Sequence, residues 1–333
     1  MRIAINGFGR IGRSVFRILN TRDNFEVVAI NDIADNDALT YLLKYDTVMG
    51  RFPDTVHTKK DVLYTSTNEV KMLAERNPAD LPWKELSVDV VVEATGIFRT
   101  TKSLKQHLVA GAKRIILTVP AKDEIDYTVV IGVNDKGLNS DHRIISNASC
   151  TTNCLAPISK VLNDAFGIEY GVINTIHAYT NDQRLADVPH SDWRRSRAAA
   201  ENIIPTTTGA ARAVGKVLPE LAGKLDGIAM RVPVADGSVV DSVFQLKKSV
   251  TVDKINEVVL KASQTSGLER ILEYSTLPVV STDIIGNPHS SIFDAPFTRV
   301  IEGNFVKTLN WYDNEWGYSN RVVDLIGLLG GFD

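Results

Sequence analysis

A glycine-rich turn near the start of the chain constrains the fold more than any other feature. Residues 7–12 read GFGRIG, a GxGxxG pattern that follows an apolar strand pattern and opens a helical pattern at residues 11–19. In such a turn Gly7 permits the tight bend, Gly9 lets the backbone approach a pyrophosphate, and Gly12 lets the helix pack closely on the strand. The N-terminus of the helix offers N–H groups to phosphate oxygens. The sequence therefore predicts a strand–turn–helix unit that binds a dinucleotide.

A carboxylate after the second strand pattern indicates which dinucleotide would bind. Asp32 lies 20 residues after Gly12, directly beyond the strand pattern of residues 26–30. A carboxylate at this position accepts a hydrogen bond from a ribose 2′-hydroxyl and repels a 2′-phosphate. A structural glycine turn with an unrelated surface acid is the alternative, but it leaves the strand–turn–helix context unexplained. The pattern favours NAD over NADP.

The order of the apolar segments predicts two domains of different classes. In the first half, continuous Val/Ile runs alternate with helical stretches, which indicates a parallel sheet covered on both faces. The second half has longer strand patterns with more alternation, which suits an α+β domain with a mostly antiparallel sheet. We therefore predict an α/β chain with a Rossmann-type doubly wound sheet in residues 1–149 and an α+β domain in residues 150–314. An amphipathic helix is predicted near the C-terminus.

Composition and charge argue against several classes of protein. The chain is 44% hydrophobic and 23% charged, which is typical of a soluble enzyme. Its formal net charge is −3 and its densest basic run, RRSR at residues 194–197, is short, so we expect no nucleic-acid partner. No apolar run approaches the roughly 20 residues of a membrane span. The two cysteines, Cys150 and Cys154, lie too close together to staple a secreted fold, and no signal peptide is recognisable, so we expect a cytoplasmic protein without membrane contact.

Two residues of the second half could form a nucleophile and its base. Residues 149–153 read SCTTN and lie between a strand pattern and a helical pattern, so Cys150 is predicted at a helix N-terminus. That position stabilises a thiolate and would lower the pKa of the thiol. His177 ends a strand pattern, and an activated cysteine needs a base that later acts as an acid. Both have ordinary alternatives, a buried small side chain and a structural histidine; Cys154 is assigned the buried structural role.

Several longer segments resemble the glyceraldehyde-3-phosphate dehydrogenase family. They are AINGFGRIGR at residues 4–13, SNASCTTN at 146–153, HAYTNDQ at 177–183, PTTTG at 205–209 and WYDNE at 311–315. The resemblance covers the whole chain, the segments occur in the family's order, and the second segment is highly specific. It implies that Cys150 and His177 are the catalytic residues.

The resemblance also implies the reaction. Cys150 attacks the aldehyde of D-glyceraldehyde 3-phosphate to give a thiohemiacetal, and His177 activates the thiol. His177 then assists proton removal as hydride passes to the nicotinamide of NAD, which leaves a thioester. Inorganic phosphate cleaves this thioester and yields 1,3-bisphosphoglycerate. We therefore expect a phosphorylating, NAD-dependent oxidoreductase of glycolysis with NAD as its cofactor and no metal.

The resemblance further implies the binding residues. Those for NAD are Gly7, Gly9, Arg10, Ile11, Gly12, Asp32, Arg76, Thr118 and Asn314. Those for the substrate C3 phosphate are Thr180 and Arg231; those for the attacking phosphate are Ser149, Thr151, Thr208 and Gly209; a further anion contact is Arg195. Hydroxyls and backbone N–H groups donate to phosphate oxygens, and arginine adds charge and a forked geometry.

The assembly and the competing functions follow from the same resemblance. Residues 178–200 match the family's long loop at a subunit contact, which implies a homotetramer, and the helix of residues 315–333 is expected to pack back onto the first domain. Val188 stands where NAD-specific members often have Leu, which leaves the strictness of NAD over NADP open. The nearest alternative is erythrose-4-phosphate dehydrogenase, but the segments at 177–183 and 205–209 fit the glyceraldehyde enzyme better. A binding protein that kept the fold would not need Cys150, His177 and the phosphate-binding residues, and a nonphosphorylating aldehyde dehydrogenase would not need Thr208 and Gly209.

Overall fold

The chain divides into two compact units. The computed structural model describes residues 1–332. The first unit comprises residues 1–129 and 136–148 together with the described residues from 319 onward, and the second comprises residues 130–135 and 149–318. Each unit has its own large sheet.

The first unit is built on a nine-stranded sheet. Its helices and strands are, in chain order, β1 (Arg2–Asn6), α1 (Arg10–Leu19), β2 (Glu26–Asn31), α2 (Asn36–Lys44), β3 (Tyr45–Asp46), β4 (Gly50–Arg51), β5 (His57–Lys59), β6 (Val62–Tyr64), β7 (Glu69–Leu73), β8 (Val90–Glu93), α3 (Thr101–Val109), β9 (Arg114–Leu117), β10 (Tyr127–Thr128) and β11 (Ile144–Ser146). The strand order is β10-β11-β9-β8-β1-β2-β7-β6-β5, while β3 and β4 form a separate ribbon. Every pair in the large sheet is parallel except β5 with β6 and β6 with β7.

The strand order confirms the predicted doubly wound sheet. The chain enters at β1 in the centre, continues to β2 on one side, and later crosses to β8 on the other side. The direction of winding therefore reverses at β1, and ligands of such sheets bind beyond the carboxyl ends of the strands at this reversal. All four residues of β8 and of β9 are buried, which explains their continuous Val/Ile sequences.

The second unit is built on an eight-stranded, mostly antiparallel sheet, as predicted. Its elements are α4 (Cys150–Phe166), β12 (Ile168–Ala178), β13 (Ile204–Thr207), α5 (Ala210–Val217), β14 (Leu225–Val232), β15 (Ser238–Leu246), α6 (Val252–Ser263), β16 (Leu272–Ser275), β17 (Ser291–Asp294), β18 (Arg299–Ile301) and β19 (Phe305–Tyr312). The strand order is β13-β14-β12-β15-β19-β17-β16, with β18 beside β19. Only β12 with β14 and β16 with β17 are parallel pairs.

One last helix, α7 (Trp316–Leu329), is followed by a single 3-10 turn, Gly330–Phe332. The sequence predicted a helix over residues 315–333, of which residue 333 lies outside the described residues. From residue 319 onward this segment groups with the first unit. No helix of the described chain has both the length and the apolar character that a membrane crossing would need.

Candidate active site

The glycine turn after β1 has the geometry that a dinucleotide requires. Gly7 has a φ of +93°, and a Cβ there would lie 2.6 Å from Thr95 N. A Cβ on Gly12 would lie 2.1 Å from the Gly7 carbonyl oxygen, so only glycine permits this packing of α1 on the turn. Gly9, the N-cap of α1, faces open space, and neither a side-chain cap nor an acidic residue occupies the first turn. The turn therefore fits the pyrophosphate of a dinucleotide.

Asp32 lies beyond the end of β2 with its carboxylate held by two backbone groups. Its Oδ2 accepts a hydrogen bond from Phe8 N at 2.7 Å, and its Oδ1 accepts one from Ala34 N at 3.0 Å. The carboxylate is therefore fixed beside the glycine turn, where a ribose hydroxyl could reach it.

The other NAD-binding candidates of the first unit differ in their surroundings. The side chain of Arg10 forms an ion pair with Asp46, which leaves the backbone N–H of Arg10 as the group that can contact a pyrophosphate. Ile11 follows in the first turn of α1. Thr118 is buried, and its hydroxyl donates to the Glu93 carbonyl oxygen at 3.0 Å. Arg76 is exposed.

Cys150 and His177 face each other in the second unit. Cys150 is the first residue of α4, and Ser149 caps that helix by accepting a hydrogen bond from Thr152 N at 3.1 Å. His177 is the penultimate residue of β12 and is 3% exposed. The Cys150 Sγ atom lies 3.5 Å from His177 Nε2. Residues that are 27 positions apart are thus placed within hydrogen-bond reach, as a nucleophile and its base require.

The second ring nitrogen of His177 has two neighbours. Nδ1 lies 2.7 Å from the Ala178 carbonyl oxygen and 2.6 Å from Arg231 Nη1, which itself donates to that oxygen at 3.0 Å. Nδ1 can donate to the carbonyl or accept from the guanidinium, but it cannot do both. When Nδ1 donates to the carbonyl, Nε2 has a free lone pair that can take the thiol proton of Cys150.

The pKa values of this pair correct one sequence-based prediction. Burial raises the pKa of the Cys150 thiol, and the charge of Arg231 and hydrogen bonds from Thr151 lower it by less. The prediction of a lowered thiol pKa at the helix N-terminus was therefore wrong, because withdrawal from water outweighs these contacts. Burial and the Arg231 charge also lower the pKa of His177 to about 3. Both shifts favour the neutral form of the two groups near pH 7.

Two helix N-termini meet next to Cys150. The hydroxyl of Thr152 in α4 lies 3.5 Å from the Ala210 carbonyl oxygen, at the start of α5. Gly209, the N-cap of α5, is exposed and faces open space, and the Thr208 hydroxyl accepts from Ala210 N at 3.2 Å. Because each N-terminus presents N–H groups and a positive partial charge, the pair suits an anion. The Thr151 hydroxyl is paired with Tyr312, so at this place Thr151 offers its backbone N–H.

The remaining candidates for phosphate binding are Arg231, Thr180 and Arg195, and their surroundings differ. Arg231 is partly buried; its Nη1 lies 2.6 Å from His177 Nδ1, and its Nε is buried without a hydrogen-bond partner within residues 1–332. Thr180 donates both its N–H and its hydroxyl to Gln183 Oε1, at 2.9 and 3.2 Å. Arg195 pairs with Asp182 and donates to the Thr206 hydroxyl at 2.8 Å. The structure thus joins Arg231 directly to the Cys–His pair, while Arg195 belongs to the neighbouring loop cluster.

Sequence reasoning missed residues that support this site from distant parts of the chain. The Tyr312 hydroxyl bonds to Thr151 at 2.8 Å and to Thr175 at 2.9 Å, and its ring meets the His177 ring edge-on at 5.9 Å. Tyr312 lies within the segment WYDNE that contributed to the resemblance. Its partner Thr151 is 161 positions away, so no local pattern in the sequence could reveal the contact.

Fold and site together define a class of protein. A doubly wound unit with a dinucleotide turn, and a second unit with a cysteine–histidine pair beside two helix N-termini, are the features of a nicotinamide-dependent oxidoreductase that uses a cysteine. Two family models narrow this class: the NAD binding domain of glyceraldehyde 3-phosphate dehydrogenase matches residues 1–101, and the C-terminal domain matches residues 149–314. The chain belongs to the glyceraldehyde-3-phosphate dehydrogenase family.

Relatives at high identity share the same description. A glyceraldehyde-3-phosphate dehydrogenase of Borreliella burgdorferi is 57% identical over 331 residues, which is 98% of either chain. Those of Streptomyces coelicolor and Mycolicibacterium smegmatis are 54% and 53% identical, and both alignments cover 99% of this chain and 98% of the relative. The similarity therefore extends over both units.

Proposed function

We propose that this chain oxidises D-glyceraldehyde 3-phosphate to 1,3-bisphosphoglycerate with NAD and inorganic phosphate. The observation that supports this function most directly is the 3.5 Å approach of Cys150 Sγ to His177 Nε2 beside two helix N-termini. A nucleophile, a base and an anion site are what thioester formation followed by phosphorolysis requires. The names of the relatives favour this substrate over erythrose 4-phosphate.

The chemical steps use the Cys–His pair throughout. The Cys150 sulfur attacks the aldehyde carbon as its proton passes to His177 Nε2, and that proton then completes the hydroxyl of the thiohemiacetal. His177 removes the hydroxyl proton again while the hydride leaves carbon C1, and a thioester remains on Cys150. The bound NAD supplies the hydride acceptor. Attack by inorganic phosphate forms the acyl phosphate, and His177 returns the proton to the departing thiolate.

The phosphate groups are assigned to two sets of donors. Thr180 and Arg231 would bind the C3 phosphate of the substrate, because the Arg231 guanidinium brings a positive charge close to His177. The attacking phosphate would bind at the two helix N-termini, through the following residues: Ser149, Thr151, Thr208 and Gly209. Arg195 would add positive charge nearby. Charge-assisted hydrogen bonds of these kinds are the strong ones in phosphate recognition.

The NAD contacts are assigned to the glycine turn and its neighbours. The backbone of the turn (Gly7, Gly9, Arg10, Ile11, Gly12) would bind the pyrophosphate, and Asp32 the ribose. Arg76 and Thr118 would add contacts in the first unit, and Asn314 would orient the nicotinamide. In this assignment residues 1–149 form the NAD-binding domain and residues 150–314 the catalytic domain.

Absorbance of NADH with glyceraldehyde 3-phosphate and NAD, with and without inorganic phosphate, tests the function. We expect sustained turnover only with phosphate and none in Cys150→Ser. Cys154→Ser is the matched control, since Cys154 is fully buried one helical turn away and should be dispensable for chemistry. Sustained turnover without phosphate would contradict the assigned phosphate site, and preference for erythrose 4-phosphate would reassign the enzyme.

The homotetramer and the cytoplasmic location stay predictions. They rest on the resemblance of residues 178–200 to a subunit-contact loop and on the use of only two cysteines, which are free in this structure.

A further inference from the structure

The phenol of Tyr312 lies between the two elements that carry the Cys–His pair. Its hydroxyl bonds to the Thr151 hydroxyl of α4 at 2.8 Å and to the Thr175 hydroxyl of β12 at 2.9 Å. Thr151 directly follows Cys150, and Thr175 lies two residues before His177 on the same face of its strand. All three hydroxyl-bearing side chains are buried, so their protons need acceptors within the protein.

Only one direction of these hydrogen bonds gives every hydroxyl proton an acceptor. The Thr175 hydroxyl has no partner other than Tyr312 within residues 1–332, so its proton points to the phenol oxygen. The phenol proton is then directed at the Thr151 oxygen. This leaves the Thr151 proton for the sulfur of Cys150, and a hydrogen bond from the Thr151 side chain is one of the contacts that lower the pKa of Cys150. We call Thr175, Tyr312 and Thr151 the hydroxyl relay.

The phenol keeps its proton when the sulfur is charged. Burial raises the pKa of Tyr312 well above its usual range, and a negative charge on Cys150 raises it further. Tyr312 therefore stays a donor to Thr151 in both states of the sulfur. A hydroxyl that accepts a hydrogen bond is polarised and becomes a better donor itself, so this contact strengthens the bond from Thr151 to the sulfur.

We propose that Tyr312 is a positioning residue that acts through Thr151 to stabilise the thiolate form of Cys150. The phenol acts at one remove, because its proton is bound by the Thr151 oxygen and Thr151 is the donor to the sulfur. The value of this contact for catalysis rests on the proposed function, in which Cys150 leaves the thioester as a thiolate. The ionisation of Cys150 itself can be measured without substrate or NAD.

Other titratable groups of the second unit also face Cys150 and are kept constant in the test. Besides the phenol they are His177 of β12, Arg231 of β14, Asp236 before β15 and Cys154 one turn further along α4. The charge of Arg231 lowers the pKa of Cys150, and that of Asp236 raises it. Cys154→Ser is the common background of all variants, so only Cys150 reports. Any difference between variants then comes from the hydroxyl relay.

The rate of alkylation of Cys150 by iodoacetamide as a function of pH tests the proposal. We expect Tyr312→Phe to move the midpoint up by about one pH unit, or roughly tenfold less thiolate at a fixed pH, the effect of one hydrogen bond to a charged group. Thr151→Val, which removes the donor to the sulfur, should shift the midpoint at least as far. Tyr274→Phe is the matched control, because Tyr274 lies on β16, where its ring stacks on Phe293, and its midpoint should equal that of the background.

The double variant decides whether Tyr312 acts through Thr151. Once the Thr151 hydroxyl is absent, Tyr312→Phe should add no further shift. An unchanged midpoint in Tyr312→Phe overturns the inference, and so do shifts of the two single variants that add in full. A lowered thermal midpoint of unfolding without a shift of the alkylation midpoint would show a purely structural role and also overturn it.

A second pair of variants serves if Tyr312→Phe does not fold. Thr175→Val removes only the first donor of the hydroxyl relay and should give a smaller upward shift. Thr308→Val is its control, since Thr308 is fully buried on β19 and its hydroxyl has no hydrogen-bond partner within residues 1–332. Equal midpoints in this pair overturn the inference. If the wild type fails to oxidise the aldehyde, the proposed function fails, while the alkylation midpoints still decide the role of Tyr312.

Discussion

At the scale of single residues, Arg231 is the charge that most affects the reacting pair. Its guanidinium contacts His177 Nδ1 at 2.6 Å, lowers the pKa of His177, and opposes the rise of the Cys150 pKa that burial produces. A positive charge near a thiol favours the thiolate, so removal of the charge should make the thiol harder to ionise.

We therefore predict that Arg231→Gln shifts the ionisation of Cys150 to higher pH. The measurement is the rate of alkylation by iodoacetamide as a function of pH, in a Cys154→Ser background so that only Cys150 reports. Arg231→Lys should restore the midpoint in part, and Arg212→Gln, which removes an exposed arginine paired with Asp226, should leave it unchanged. An unchanged midpoint in Arg231→Gln would show that Arg231 does not act on the thiol.

A second residue-scale feature is the pair of buried carboxyl groups next to Asn314. Asp236 and Asp313 are each 1% exposed, and burial together with the neighbouring carboxyl of Asp313 raises the pKa of Asp236 to about 9. Burial also raises the pKa of Asp313, and hydrogen bonds from Gly286 N at 2.8 Å and Glu315 N at 2.9 Å oppose that rise. Asp236 therefore holds a proton near pH 7.

This proton gives a pH dependence of stability with a defined sign. The pKa of Asp236 is raised from its unfolded value of roughly 4 to about 9. Between these values the folded state binds the proton and the unfolded state does not, so the free energy of unfolding falls as pH rises, by up to about 1.4 kcal/mol per pH unit. Urea unfolding at pH 5, 7 and 9 should show this slope reduced in Asp236→Asn but not in Asp226→Asn, which removes an exposed carboxylate. Equal slopes in Asp236→Asn and wild type would mean that Asp236 is charged.

At the scale of elements, helix α4 positions Cys150, the proposed nucleophile, in its first turn. Ser149 caps α4 in the same way as Thr251 caps α6. The hydroxyl of Thr251 accepts a hydrogen bond from Lys254 N at 3.2 Å. Loss of either cap should cost about 1 kcal/mol of stability. Only the cap of α4 lies beside the proposed phosphate site.

We expect Ser149→Ala and Thr251→Ala to lower the unfolding midpoint similarly and to differ in kinetics. Ser149→Ala should raise the KM for inorganic phosphate several-fold, while Thr251→Ala should not. Steady-state kinetics with varied phosphate, together with thermal unfolding, provide the comparison. Equal KM values in the two variants would remove Ser149 from the phosphate site.

The elements themselves were predictable where the local pattern was strong. Helix α1 begins one residue before the predicted helical pattern of residues 11–19, and β2 ends one residue after the predicted strand pattern of residues 26–30. The antiparallel extension formed by β5, β6 and β7 was not predicted. Its strands have only three to five residues, and strands this short are stabilised by pairing with each other and not by their own sequence pattern.

At the scale of the whole molecule, exposed apolar side chains in the loop of residues 178–200 support assembly. Leu185 is 89% exposed and Trp193 86% exposed, an unusual state for large apolar side chains. We predict that sedimentation gives a mass of roughly four times the 36.6 kDa chain for the wild type. Trp193→Ser, which changes no other residue of the loop, should give a smaller assembly. A monomer mass for the wild type would contradict the tetramer.

The sequence by itself determined the fold class and the dinucleotide turn, and it singled out Cys150 as the proposed nucleophile. These depend on local patterns, because glycine spacing, apolar runs and a cysteine at a helix start are contained in short segments. Only the tertiary structure decided the state and surroundings of the nucleophile. The raised pKa of Cys150, the contact of Arg231 with His177 and the hydrogen bond between Thr151 and Tyr312 depend on burial and on residues 54 to 161 positions apart. Neither burial nor contacts between distant residues can be predicted from the local sequence.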